Sequence, residues 1–138
     1  MTGRGHRVVE HTADQALEAW GPTRAACLEE AVIGFVAQFA EVPTGVAGEA
    51  HEVAVDGRDG AAALLAILGE VVFLLDARGV VPATVAVADD GDTVNVRFHL
   101  VDVAAVAPTG PAPKGVSLSG LALERGDDGW RAHALIDI

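Results

Sequence analysis

The order in which two kinds of hydrophobic periodicity occur constrains this chain most. Apolar residues recur at three- and four-residue spacing over 24–40, and an almost wholly apolar run covers 60–77; both patterns predict helices. Alternating apolar and polar residues predict strands at 7–10, 15–20, 51–56, 81–88, 93–101, 114–124 and 130–138. Helices grouped early and strands grouped late predict an α+β fold, with two helices packed on one face of a mainly antiparallel β-sheet.

Local signals mark where these elements end. Thr23 and Asp59 stand where N-caps are expected, and Gly79 supplies a C-terminal stop for the second helix. That helix is apolar almost all round, which predicts that it is largely buried, with Glu70 as the exception. No repeat or long linker interrupts residues 1–138, so we predict a single domain. We expect no membrane span and no secretion signal.

Composition narrows the class of function. The formal net charge is −11, from twenty acidic against nine basic residues, which disfavours direct binding of nucleic acid. Such a surface can dock onto a basic protein or attract divalent cations, or it can simply keep the domain soluble. The single cysteine, Cys27, fits a reducing cytoplasm and a packing role. Neither a Walker A motif nor a GxGxxG is present.

Two acids stand in otherwise apolar strands near the two ends of the chain. Asp14 closes the run His-Thr-Ala-Asp between the first two predicted strands, and Asp137 precedes the terminal carboxylate of Ile138. Charges in such places are costly unless something cationic compensates them. Oxygen donors suit a hard divalent cation, whereas zinc ligands are not clustered here. We therefore predict that the two acids meet around a metal; the alternatives are a turn acid at Asp14 and a solvent-facing acid at Asp137.

Four segments, in order along essentially the whole chain, resemble the archease family. The first is His-Thr-Ala-Asp at 11–14, between two strands. The second is Leu-Gly-Glu-Val-Val-Phe-Leu-Leu-Asp at 68–76, and the third is Pro-Lys-Gly-Val-Ser-Leu at 113–118. The fourth is the terminal strand over 128–138.

The resemblance implies a function and a metal site. Archeases are small cytoplasmic proteins that activate the RtcB-type RNA ligase of tRNA splicing and RNA repair. The ligase forms a histidine–guanylate using GTP and manganese; archease promotes that guanylylation and multiple turnover, is not itself an enzyme, and meets RNA only indirectly. By resemblance, Asp14, Asp137 and Ile138 would hold a divalent metal, calcium in the family's type structures, with manganese and magnesium as alternatives.

Three further residues are candidates for supporting the metal or contacting the partner. His11 could orient Asp14 or face the ligase, or be a histidine hydrogen-bonded inside a turn. Glu70 could reach the metal region, pair with Lys114 or Arg97, or be a partly exposed helix acid. Lys114 could contact the ligase or a phosphate of its nucleotide, or be an ordinary strand-edge lysine.

The sequence departs from the family pattern at two positions. Ser119 stands where archeases usually carry a histidine, and Gly115 replaces the usual alanine. A small metal-dependent hydrolase using the same acids remains an alternative; it requires a general base, for which His11 is the main candidate. A chaperone-like binding module is a further alternative and would show an exposed apolar groove.

Overall fold

Helices and strands follow one another much as the periodicity predicts, in a computed structural model that describes residues 3–10, 14–46 and 48–138. The helices are α1 (Arg24–Ala37) and α2 (Gly60–Arg78), with a 3-10 turn at Val103–Ala105. The strands are β1 (Gly5–Glu10), β2 (Asp14–Gly21), β3 (Ala40–Glu41), β4 (Glu49–Asp56), β5 (Val80–Asp89), β6 (Thr93–Asp102), β7 (Ala107–Pro108), β8 (Gly115–Val116), β9 (Ala122–Gly126) and β10 (Gly129–Asp137).

The strands of the described residues divide among three antiparallel sheets. The large sheet has the order β1-β2-β10-β8, and β9 also pairs with β10. The small sheet has the order β4-β6-β5, and within the described part of the chain β3 pairs with β7 alone. The predicted α+β class, with two helices and antiparallel strands, is confirmed. The strands do not form one continuous sheet, because β10 and β6 each lie in the middle of a separate set of partners.

Both helices contact strands of both larger sheets and so join them. Helix α1 lies against β1, β2 and β10 on one side and β5 on the other, while α2 lies against β8, β9, β4 and β5. Their apolar side chains form one core with the inward side chains of the sheets, and its largest fully buried members include Leu17, Leu28, Phe35, Leu68, Phe98 and Ile136. Each sheet thus has one face on this core and one face outward.

The predicted helix starts and the predicted stop are confirmed. The Thr23 hydroxyl oxygen accepts from the Ala26 N–H at 3.1 Å, and an Asp59 carboxylate oxygen accepts from the Ala62 N–H at 3.2 Å. Gly79 follows α2 with φ of +63°, the left-handed conformation that favours glycine. Helix α1 ends at Ala37, earlier than predicted, because Ala40 and Glu41 pair with β7.

Helix α2 is less buried than its composition predicted. One face, which includes Leu64, Leu68 and Val71, is buried, but Phe73 is 60% exposed and Gly69 is open to solvent. By length and composition alone α2 would be long enough to cross a membrane, and 33% of its most apolar window is buried inside the domain.

The single strand predicted over 114–124 is wrong. Two short strands, β8 and β9, stand there instead, separated by a turn in which the Ser117 hydroxyl accepts from the Ser119 N–H at 3.1 Å and Gly120 has φ of +72°. Both strands pair with β10, β8 at its end and β9 at its beginning. The turn lets the chain leave β10 and return to it, which local alternation does not reveal.

Candidate metal site

Asp14 and Asp137 lie directly opposite each other in the large sheet. Asp14 begins β2, Asp137 ends β10, and the antiparallel register makes them partners. Directly opposed residues point to the same face, with Cβ atoms about 4.5–5.5 Å apart. The prediction that these two acids lie side by side is confirmed.

Like charges in this arrangement repel and destabilise the strand pair unless a cation compensates them. Within the described residues, no lysine, arginine or histidine side chain forms an ion pair with either carboxylate. Asp14 is half-buried and Asp137 is exposed. An ion of opposite charge would therefore find two uncompensated carboxylates at one end of the sheet.

The backbone around Asp137 is held on both sides. Its carbonyl oxygen accepts from the Lys114 N–H at 2.7 Å, and Gly115 is its register partner on β8. A Cβ built on Gly115 would lie 3.9 Å from Asp137 Oδ2, an ordinary van der Waals contact, so the usual alanine would also fit beside that carboxylate. Ile138, which follows Asp137, packs its side chain against the core.

The donor set within the described chain is therefore small and made of oxygen. No group of three histidine, cysteine, aspartate or glutamate side chains forms a metal cluster among residues 3–10, 14–46 and 48–138. His11 lies outside the described residues, so its predicted role stays a prediction. Asp14, Asp137 and the carboxylate of Ile138 remain, and carboxylates are the ligands that calcium and magnesium prefer. The residues present fit a hard cation with further ligands from water or a partner.

Of the alternatives for Glu70, the partly exposed helix acid is confirmed, and the pairing with Lys114 or Arg97 is wrong. Glu70 Oε2 lies 3.1 Å from His51 Nε2, and the His51 ring stacks on Phe98 with an interplanar angle of 6°. This turn of α2 therefore faces β4 in the small sheet rather than β8 in the large one. Lys114 is exposed and reaches the site through its backbone contact with Asp137.

Sequence reasoning missed a polar patch on the same outward face as the acid pair. The strand register puts Glu18 and Trp20 of β2 beside His133 and Arg131 of β10, around a cavity of about 250 Å³. The period of two along β10, counted back from Asp137, was the signal that could have found it.

The turn that carries Ser119 contacts this patch. His133 Nδ1 lies 2.7 Å from the carbonyl oxygen of Gly120, the next residue. This turn therefore has a histidine nearby in space, contributed by β10.

Cys27 is a core residue of α1. It is fully buried in α1, and burial, followed by the nearby charge of Glu30, raises the pKa of its thiol to about 12. A thiol held so strongly in its protonated form is a poor nucleophile. The predicted packing role is confirmed.

Two helices joined to antiparallel sheets define a small α+β domain, and an opposed pair of carboxylates stands at one end of its large sheet. The model of the Archease protein family (MTH1598/TM1083) matches residues 6–138. The chain is 37% identical over 139 residues to a protein of Mycobacterium tuberculosis named probable protein archease, covering 99% of this chain and 76% of that protein. This chain belongs to the archease family.

A more distant relative and two solved structures agree. Protein archease of Archaeoglobus fulgidus is 30% identical over 137 residues, covering 96% of this chain and 98% of the relative. The solution structure of protein 1598 of Methanobacterium thermoautotrophicum superposes with a TM-score of 0.77 at 17% identity, covering 97% of this chain and 99% of that one. A crystal structure from Thermotoga maritima, described as an archease and possible chaperone, gives a TM-score of 0.66 at 21% identity, with 96% of each chain covered. These two likenesses establish the fold.

Proposed function

We propose that this protein is an accessory factor that activates an RtcB-type RNA-splicing ligase, promoting its guanylylation and multiple turnover. The proposal adds a divalent cation, calcium first, held by Asp14, Asp137 and the carboxylate of Ile138. Membership of the archease family supports the role. The observation that carries the site is the direct opposition of Asp14 and Asp137 across β2 and β10.

The strands around this pair suit a preorganised site. Asp14 and Asp137 stand on paired strands, and β10 is bound by β2 on one side and β8 on the other. Ligands on such a scaffold lose little freedom when the ion binds. When bound, the cation would neutralise the carboxylates and offer a positive centre to oxygen ligands of the partner. The residues of this chain would hold and orient it.

The charge distribution supports a protein partner rather than direct contact with RNA. The chain is strongly acidic, and most of its basic side chains are in ion pairs with its own acids, among them Arg4, Arg7, Arg24 and Arg78. Few cations remain for phosphates, whereas the acidic surface would speed association with a basic face on a ligase. RNA would therefore be met only through the ligase, in the cytoplasm.

A guanylylation assay tests the proposal. The cognate ligase would be mixed with GTP and manganese, and with either wild-type protein, the Asp14→Asn/Asp137→Asn double variant or a Glu124→Gln control. Glu124 is an exposed acid on the same outward face, opposite Arg131 rather than another acid. Wild type and control should stimulate guanylylation and the double variant should not. Equal stimulation by all three removes the metal role, and no stimulation by wild type removes the activator assignment.

Direct metal binding provides a second readout that does not need the ligase. Calorimetric titration with calcium should show a site in wild type and in Glu124→Gln that is lost in the double variant. Binding without stimulation would separate the metal site from ligase activation.

A chaperone-like binding module is the second candidate, favoured by exposed apolar side chains. Phe73 is 60% exposed and Leu118 is 75% exposed. If this candidate is right, the protein will suppress aggregation of a heat-denatured enzyme with or without calcium, and the Asp14→Asn/Asp137→Asn variant will do so equally well. Suppression lost in a Phe73→Ser/Leu118→Ser variant would assign it to these side chains.

A further inference from the structure

A groove runs between α1 and the outer edge of β5, in the small sheet, whereas the acid pair stands in the large sheet. Among the described strands, β5 is the last one of the small sheet and pairs with β6 alone. The groove is lined by Ile33 and Ala37 of α1, by Ala83 and Val85 of β5, and by Val42. Its volume is about 260 Å³.

The backbone of β5 points hydrogen-bonding groups into this groove. The Val87 N–H donates to Glu29 Oε2 on α1 at 2.9 Å, so it is directed away from β6. The hairpin turn agrees, because the Asp90 N–H donates to the Thr93 carbonyl at 3.2 Å and bonding then alternates along the ladder. Val85, two residues before Val87, therefore turns its N–H and C=O to the same outer side.

Helix α1 closes one part of this edge and leaves the next part open. Glu29 satisfies Val87, but one and two turns further along the same helix face stand Ile33 and Ala37, which have no hydrogen-bonding side chain. Ile33 is 42% exposed. Within the described residues, nothing pairs with the outward N–H and C=O of Val85. Unpaired groups on a strand edge are a template for another strand.

We propose that this groove binds an extended segment of a partner protein, which adds to the small sheet as a strand beside β5. Main-chain hydrogen bonds to Val85 would fix the segment, and alternate apolar side chains would contact Ile33, Ala37 and Val42. Glu41 is exposed and lines the groove, and it is in no ion pair among the described residues. A basic residue of the segment therefore complements this acid.

Charge also argues against a second copy of this chain as the occupant. Each copy has a formal net charge of −11. Edge-to-edge pairing of two β5 strands would therefore bring together two acidic molecules, each with its Glu41 beside the groove. A segment with apolar and basic residues meets attraction instead of repulsion.

The test uses the full-length protein, isotope-labelled for NMR, and the synthetic peptide Lys-Val-Thr-Val-Thr-Val-Lys. We expect saturable shifts at the Val85 amide and the Ile33 methyl groups. Two peptides N-methylated at alternate residues provide matched controls, because in a strand only every second N–H faces β5. One should bind at least about tenfold more weakly than the other. No saturable shift at Val85, or equal weakening by both methylation patterns, overturns the proposal.

Variants distinguish binding in the groove from nonspecific binding to exposed apolar side chains. Ile33→Lys should weaken peptide binding at least about tenfold, and Phe73→Lys, which changes another exposed apolar helix residue, should leave it unchanged. Glu41→Lys should weaken binding of this basic peptide, and it should leave unchanged the binding of a peptide in which threonine replaces both terminal lysines. Equal effects of Ile33→Lys and Phe73→Lys would overturn the assignment to the groove. Analytical ultracentrifugation without peptide should show a monomer. A dimer that Ile33→Lys dissociates would overturn the proposal of a partner protein and would identify the occupant of the groove as a second copy of this chain.

Discussion

Arg24 at the start of α1 links the helix to the small sheet, and its removal should destabilise the whole domain. Its guanidinium donates from Nε and Nη2 to the two oxygens of Asp89, at 2.7 Å each, and from Nη1 to the Gly57 carbonyl at 2.6 Å. The guanidinium carbon also lies 5.9 Å from the centroid of the Trp130 ring in the large sheet. One side chain thus joins a helix, two turns of the small sheet and the large sheet.

Burial decides how much this contact contributes. The side chains of Arg24 and Asp89 are 12% and 14% exposed, so Arg24→Met would leave a poorly hydrated carboxylate without its partner. Breaking a buried pair in this way costs about 3–5 kcal/mol, and the residual exposure places our expectation at about 3 kcal/mol. That is a large part of the roughly 5–15 kcal/mol that stabilises an ordinary domain. The Arg24→Met/Asp89→Asn double variant should recover part of the loss, because it removes the stranded charge.

Urea denaturation followed by the fluorescence of the chain's two tryptophans measures these differences. Arg58→Met, which removes an exposed arginine paired with Asp56, is the matched control and should change the free energy of unfolding little. If Arg24→Met is no more destabilising than Arg58→Met, or if the double variant equals the sum of the single ones, the reasoning about a buried coupled pair is refuted.

The same pair should make stability depend on acid pH. The Arg24 guanidinium holds the pKa of Asp89 below its usual value of 3.8. A carboxyl whose pKa is lowered by folding contributes stability that is present above the unfolded pKa and is lost as the pH falls through the folded pKa. The stability difference between wild type and Arg24→Met should therefore be full at neutral pH and shrink below the usual pKa of Asp89. A difference that grows towards acid pH would contradict the assignment.

Three further predictions follow from other parts of the molecule. Gly79→Ala should destabilise the domain by about 1–2 kcal/mol, because Gly79 has a left-handed φ of +63°. Gly69→Ala, at a position in the middle of α2 with space for a Cβ, should stabilise it by about 0.5–1 kcal/mol in the same urea titration. Changes of the same sign would contradict the conformational argument. Cys27 should resist a thiol reagent at mild alkaline pH in the native protein and react fully in urea, because burial raises its pKa to about 12; rapid native labelling would contradict its packing role. One glycine added after Ile138 should weaken calcium binding in calorimetry, because it moves the terminal carboxylate away from Asp137; unchanged affinity would remove that carboxylate from the ligand set.

Local chemistry in the sequence was enough to predict the element types and several of their ends. Thr23, Asp59 and Gly79 act at helix ends through atoms within a few residues of themselves, so their roles do not depend on the rest of the fold. The alternation of apolar and polar residues likewise predicted that Asp14 lies at the start of one strand and Asp137 at the end of another. The cost of two uncompensated charges in apolar strands predicted that these two meet, and the resemblance to archeases implied the same.

Contacts between segments far apart in the chain could not be predicted from local sequence patterns. Glu70 pairs with His51, and Arg24 with Asp89, because α2 and α1 each lie against particular strands of the small sheet. The division of 114–124 into β8 and β9 arises because both strands pair with β10, β8 with its end and β9 with its beginning. The amphipathic pattern of a segment states which face is buried, but not which neighbour covers it.

The sequence by itself determined two helices, alternating strands, their caps and an acid near each end of the chain, since these depend on backbone preferences and on the period of apolar residues. Only the tertiary structure decided that Asp14 and Asp137 are register partners, that β5 keeps an open edge beside Ile33, and that Arg24 joins both sheets. The physical reason is that strand register and helix docking are set by packing between segments far apart in the chain, where a shift of one residue would turn every side chain of a strand to the other face.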